Sequence, residues 1–261
     1  MKKGTCSRTF FYLFNREFGH PNKEEEQAID PLAGGILQQG YQCGMLWGAS
    51  MGIGAEAYRR NNDMKQAISM SIEATKHVMN SFTTHTKAIE CEEITNTDFS
   101  NKWSMAKYMM SGRFVSCFKL AGKWAPEAFQ AANEGLALAA EEESDHAISC
   151  ASEVIIKMDG NKEEAAMVSG FAGGLGLSGN ACGALAATIW KKALQKIKKE
   201  NSNPSFNDPE LSEVIQEFYE ATDYKMECHE ICNRRFKTIK EHSDFIRNGG
   251  CRSLIQMLSL F

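Results

Sequence analysis

Residues 22 to 49, NKEEEQAIDPLAGGILQQGYQCGMLWGA, lie without a gap over residues 161 to 188, NKEEAAMVSGFAGGLGLSGNACGALAAT, with eleven of 28 positions identical. A long-range self-match of this kind decides architecture before any local propensity does, because the fold must accommodate the same unit twice. A second block agrees: ECEEITNTDF at 90 to 99 overlies ECHEICNRRF at 227 to 236 with six identities in ten. Cysteines sit inside both blocks, pairing Cys43 with Cys182 and Cys91 with Cys228. Cys117 matches Cys251 at a similar offset, and Cys6 matches Cys150 after a small change in loop length. Eight of the nine cysteines thus form two ordered sets, Cys6, Cys43, Cys91, Cys117 and Cys150, Cys182, Cys228, Cys251, while Cys232 faces Thr95. The chain divides into units 1–125 and 126–261, each of ordinary domain size.

The local pattern predicts an all-α fold. Asn22 and Asn161 precede helical periodicity and carry Glu three residues later, a capping-box variant. The glycine pairs Gly34-Gly35 and Gly173-Gly174 should end those first helices in left-handed backbone, and new helices should run to about Arg60 and Lys199 with Cys43 and Cys182 in their first turns. Helical spacing also extends over 64–89, 126–142 and 209–227, and 199–210 reads as a loop. Two such units are expected to pack as a pseudo-twofold pair, an intramolecular pseudodimer that further self-association could enlarge.

An uncharged run from Ala165 to Trp190 is long enough to span a bilayer, but its glycines and Asn180 should break it into two buried helices, so no membrane insertion is expected. Formal charge is -4, which offers no basic field for a phosphate backbone and excludes nucleic acid as an expected partner. The interrupted N-terminus reads as uncleaved and cytoplasmic.

Glycine beside cysteine, at Gly44 and Gly183, permits close backbone approach to a neighbour or a bound group. Helix-start amides should favour thiolate at Cys43 and Cys182. Gly34, Gly35, Gly44, Gly173, Gly174 and Gly183 are therefore the candidate cofactor-contacting glycines, and the eight matched cysteines are the candidate metal ligands.

GFAGGLGLSGNACGALAA, with Cys182-Gly183-Ala184, resembles the motif region of the bacterial and archaeal C_GCAxxG_C_C family, whose members are described as redox-active. Ala187 stands where the last motif glycine belongs. The first unit keeps that glycine as Gly48 but has Met45 for the alanine. The resemblance covers nearly the whole chain as two units. A related region fused to haem domains in split-Soret cytochromes implies redox work and an iron-sulfur centre. The chain has no Cys-x-x-Cys-His, so covalent haem is not implied.

No Cys-x-x-Cys pair occurs either, so any ligands must converge from different helices. The leading expectation is an iron-sulfur cluster held by each repeated set, serving electron transfer to a redox partner that the sequence does not name. The alternatives are thiol-disulfide exchange, a structural zinc site that could enlist His229, and an interaction module with no cofactor. His20, His77, His85, His146, His229 and His242 share no ligand spacing between units and are expected to be surface or structural. The lysines of 191–199 should be solvated, and the four tryptophans should anchor the core. No catalytic constellation stands out.

Overall fold

The computed structural model describes residues 4–61, 63–99, 101–140, 147–200, 202, 204 and 206–261. His146 lies outside them, as do residues 141 and 142 of the expected 126–142 helix. The first unit comprises α1 (Cys6–Glu17), α2 (Lys23–Ala28), a 3-10 turn (Asp30–Leu32), α3 (Gly44–Asn61), α4 (Met64–Thr86), α5 (Cys91–Thr95), α6 (Lys102–Met110) and α7 (Phe114–Ala140). The second repeats this order: α8 (Cys150–Lys157), α9 (Lys162–Met167), a 3-10 turn (Ser169–Phe171), α10 (Gly183–Glu200), α11 (Pro209–Ala221), α12 (Cys228–Ile231), α13 (Ile239–Arg247) and α14 (Arg252–Leu258). Among the described residues there is no strand; the isolated bridges Gln42–Glu90 and Ala181–Glu227 occupy matching positions.

Several boundaries differ from the sequence expectation for identifiable reasons. The helix expected from 126 starts at Phe114 and runs through Pro126, so the 125/126 division falls inside α7. α11 stops at Ala221 because Asp223 and Tyr224 take left-handed backbone. The complete capping box forms only at Asn161 and Glu164. At Asn22 the side chain makes no cap bond, and its N–H goes instead to Glu26 Oε1 at 3.1 Å, a carboxylate held by Arg16 at 2.6 Å and Asn15 at 3.0 Å.

The core is built around α3, which packs against α1 and α4 of its own unit and against α9 of the other. Contacts between units are reciprocal: α3 meets α9 and the second 3-10 turn, while α10 meets α2 and the first 3-10 turn. Trp47 stands edge-on to Phe171 at 4.7 Å, and Trp190 Nε1 donates to the Glu25 carbonyl at 3.2 Å. Charged pairs repeat the exchange, Arg59 with Glu163 at 3.0 Å and Lys198 with Glu25 at 3.4 Å. Burying large aromatics across the seam contributes several kcal/mol each by the usual truncation scale, about 3–5. Trp47, Trp124 and Trp190 are fully buried, whereas Trp103 is 86% exposed and is not a core anchor.

The lysines of α10 are not simply solvated. Lys191 is buried against Glu164 at 2.6 Å, and Lys196 bonds both Asp208 and Glu210 at 2.8 Å. Their place at a helix end suggested solvation; acidic groups at the starts of neighbouring helices claim the ammonium groups instead. The uncharged run 165–190 is broken as expected, and among the described residues no helix is long and apolar enough to cross a membrane.

Candidate thiol centres

All eight matched cysteines stand at helix beginnings. Cys6 and Cys150 open α1 and α8, Cys91 and Cys228 open α5 and α12, and Cys43 and Cys182 immediately precede α3 and α10. Cys117 lies in the first turn of α7, and Cys251 is the residue capping α14. A common backbone frame joins the second and third members of each set. Cys43 N–H donates to Ile89 O at 2.8 Å and Cys91 N–H to Tyr41 O at 2.7 Å. In the second unit Cys182 N–H donates to Met226 O at 3.0 Å and Cys228 N–H to Asn180 O at 2.7 Å.

The first member of each set is reached by a left-handed turn. Gly34, Gly35, Ile36, Leu37 and Gln38 have φ of 70, 77, 59, 48 and 60°, and Gly173 to Leu177 have 61, 82, 71, 59 and 61°. Five successive residues with positive φ make a left-handed turn, disfavoured by roughly 1–2 kcal/mol for each non-glycine residue. Ile36 is the most strained because it is β-branched. The turn directs the Gly34 amide at the Cys6 sulfur and the Gly173 amide at the Cys150 sulfur. Gly35 and Gly174 take part in the same turn. At Gly44 a Cβ would fall 2.6 Å from Cys6 Sγ, and at Gly183 one would fall 2.6 Å from the Phe171 carbonyl carbon. Close approach at these two glycines is thus to a thiol in one unit and to backbone in the other.

Within each set the four sulfurs lie in mutual electrostatic reach. A thiolate at Cys6, Cys91 or Cys117 would raise the Cys43 pKa, and the remaining pairs of this set interact likewise. Cys150, Cys182, Cys228 and Cys251 are coupled in the same pairwise way. The expectation that helix starts would make Cys43 and Cys182 thiolates is overturned. Burial pushes both well up, and the amides of Met45, Ala184 and Leu185 only partly offset it. Burial also pushes Cys6 up to about 11 and Cys150 up to about 12. Cys43, Cys150 and Cys182 are buried and Cys6 is half-buried, all four are protonated thiols, and all nine cysteines are free.

The fourth positions differ. Tyr108 Oη lies 3.5 Å from Cys117 Sγ, a contact not anticipated from the sequence. His242 stands nine residues before Cys251, as Tyr108 does before Cys117. Extending the offset that pairs these two cysteines would have brought Tyr108 and His242 together. All five cysteines of the second unit, including Cys232, line one small cavity together with Phe236, His242 and Phe245. His229 Nδ1 is 2.8 Å from the Gly179 carbonyl. Among the described residues no three His, Cys, Asp or Glu side chains are placed to share a single metal ion.

His242, 1% exposed, donates from Nδ1 to Ile148 O at 3.2 Å, and burial lowers its pKa to about 4. The unfolded state therefore takes up a proton near pH 6.5 that the folded state refuses until about pH 4. Stability contributed above pH 6.5 should be lost over that interval, by about 3 kcal/mol in all. Urea melts of wild type and His242→Phe at several pH values test this: the variant's curve should be flatter between pH 6.5 and 4, and parallel curves would refute the assignment.

A family model described as "Putative redox-active protein (C_GCAxxG_C_C)" matches residues 5–128 and 147–259, one match on each unit. No curated protein and no solved structure matches the chain.

Proposed function

The chain belongs to the C_GCAxxG_C_C family, and from that membership we propose that it holds an iron-sulfur centre in each unit and passes electrons without itself transforming a small molecule. Cys6, Cys43, Cys91 and Cys117 would hold one, and Cys150, Cys182, Cys228 and Cys251 the other. The observation that carries this reading is the convergence, twice over, of four thiols from four separate helix starts. Such a donor set fits soft metal centres. When bound, a centre of this kind supplies one-electron exchange. The protein's own share is to bring buried and half-buried thiols together, to lose their protons on loading, and to aim the Gly34 and Gly173 amides at one sulfur of each set, a contact that raises potential.

The rival reading is a structural zinc site, which needs four donors at about 2.3 Å from one metal ion, and metal analysis separates the two. In the same reading the units form a pseudo-twofold pair, for which the reciprocal packing of α3 and α10 is the support.

Iron, acid-labile sulfide and zinc should be measured on protein prepared without oxygen. Wild type is expected to carry iron and sulfide together, with about half lost in either Cys43→Ser or Cys182→Ser. Stoichiometric zinc without iron, or no metal at all under these conditions, would reject the proposal.

A further inference from the structure

The second thiol set contains a sulfur that the first lacks. Cys232 Sγ lies 3.5 Å from Cys251 Sγ and 3.9 Å from Cys228 Sγ. In the first unit Thr95 takes its place, with its hydroxyl donating to the Cys91 carbonyl at 2.7 Å, and Cys117 meets Tyr108 instead of a thiol. Cys232 and Cys251 are also the two cysteines of this unit that are partly exposed; Cys150, Cys182 and Cys228 are buried. The close pair therefore includes the sulfurs that a small oxidant reaches first.

Backbone placement suits bond formation. Cys232 caps a four-residue helix and Cys251 occupies the left-handed junction before α14, so the two belong to different elements, each at a short segment's end. Closing 3.5 Å to a bonded length of about 2.05 Å needs a shift of roughly 1.5 Å, which side-chain rotation and small movement of these ends can supply. Cys228, by contrast, is buried and on the same helical turn as Cys232.

We propose that Cys232 and Cys251 form a reversible disulfide when a hydroperoxide oxidises the protein, a latch present in the second unit alone. The Cys232 thiolate attacks the peroxide oxygen, the O–O bond breaks, and an alcohol or water departs, leaving a sulfenic acid. Cys251 sulfur then attacks Cys232 sulfur; the S–S bond forms, the S–O bond breaks, and the hydroxyl leaves as water with the thiol proton. Two thiols and one hydroperoxide thus yield one disulfide, one alcohol and one water. A dithiol reductant reverses it by exchange. Oxidation would withdraw Cys251 from its four-thiol set, so the latch goes beyond the iron-sulfur proposal but does not depend on it.

The test uses reduced, metal-free, full-length protein treated with hydrogen peroxide, alkylated, digested without reductant and mapped by mass spectrometry. A linked peptide containing Cys232 and Cys251, two hydrogens lighter than its parts and abolished by dithiothreitol, is expected. Alkylation of Cys251 should fall at least about tenfold in wild type and remain unchanged in Cys232→Thr, which restores the first unit's residue. Cys117 should stay alkylatable in both proteins. Linkage of Cys232 to Cys228 alone, equal protection of Cys251 in Cys232→Thr, or retention of both free thiols while other cysteines oxidise would overturn the proposal. Because no metal takes part, failure here is distinguishable from failure of the cluster reading.

Discussion

Gly183→Ala is expected to lower the melting temperature by about 8–16 °C, corresponding to roughly 4 kcal/mol at about 2–4 °C per kcal/mol for a chain of this size. The new methyl group would lie 2.6 Å from the carbonyl carbon of Phe171 and closer still to its oxygen. Backbone cannot rotate aside as a side chain can, so either the start of α10 or the second 3-10 turn must move. Phe171 holds the edge-on contact with Trp47, and Cys182 directly precedes the altered residue, so the inter-unit seam and the second thiol set should suffer together. Gly122→Ala provides the control: nothing lies within 4 Å of its Cβ position, and alanine suits a helix interior better than glycine by about 1 kcal/mol. Thermal melts followed by circular dichroism compare the two. Equal melting temperatures for Gly183→Ala and wild type would show that the close approach has no energetic weight.

This contrast shows what the sequence can and cannot reveal. The repeated Cys-Gly step pointed to a tight approach at Gly44 and Gly183, but the partner of each glycine was not legible because it comes from an element distant along the chain. Cysteine order disclosed both thiol sets, since repetition preserves position even where identity has decayed. The left-handed turn was only half legible. Gly34-Gly35 and Gly173-Gly174 announce positive φ, whereas Ile36, Leu37 and Gln38 follow against their own preference, held by bonds such as Leu37 N–H to Pro31 O at 2.7 Å. Thiol ionisation was misjudged for a related reason: the helix-start effect is local and visible in sequence, but the burial that outweighs it arises from tertiary packing. Tyr108 escaped notice, and His242 stood only among the surface or structural histidines, because no identity marks their equivalence. Pairing them requires the cysteine offset rather than a conventional motif.

Lys191→Met is expected to cost about 3–5 kcal/mol at pH 7, the usual range when one member of a buried ion pair is removed. Lys191 and Glu164 are 6% and 4% exposed, with Nζ 2.6 Å from Oε2. Only Lys198, 3.1 Å from the other oxygen and considerably more exposed, would remain to balance the carboxylate. Burial raises the Glu164 pKa, but hydrogen bonds and charge from Lys191 and Lys198 outweigh that and leave it below the ordinary 4.5. A depressed folded-state pKa makes its contribution complete above about pH 4.5 and progressively lost as acid protonates the folded carboxyl. Without Lys191 the balance shifts toward burial, and the variant should bind that proton more readily when folded. The stability gap between wild type and Lys191→Met should therefore be widest near neutrality and narrow below pH 4.5, and Lys191→Met/Glu164→Gln should recover most of the loss. A gap under about 1 kcal/mol at pH 7, or no recovery in the double variant, would refute the account. The consequence reaches the thiols because Glu164 also closes the capping box with Asn161, fixing α9 ahead of the left-handed turn that presents the Gly173 amide to Cys150. Alkylation of Cys150 should consequently quicken in Lys191→Met while Cys6, served by the equivalent turn in the other unit, keeps its wild-type rate.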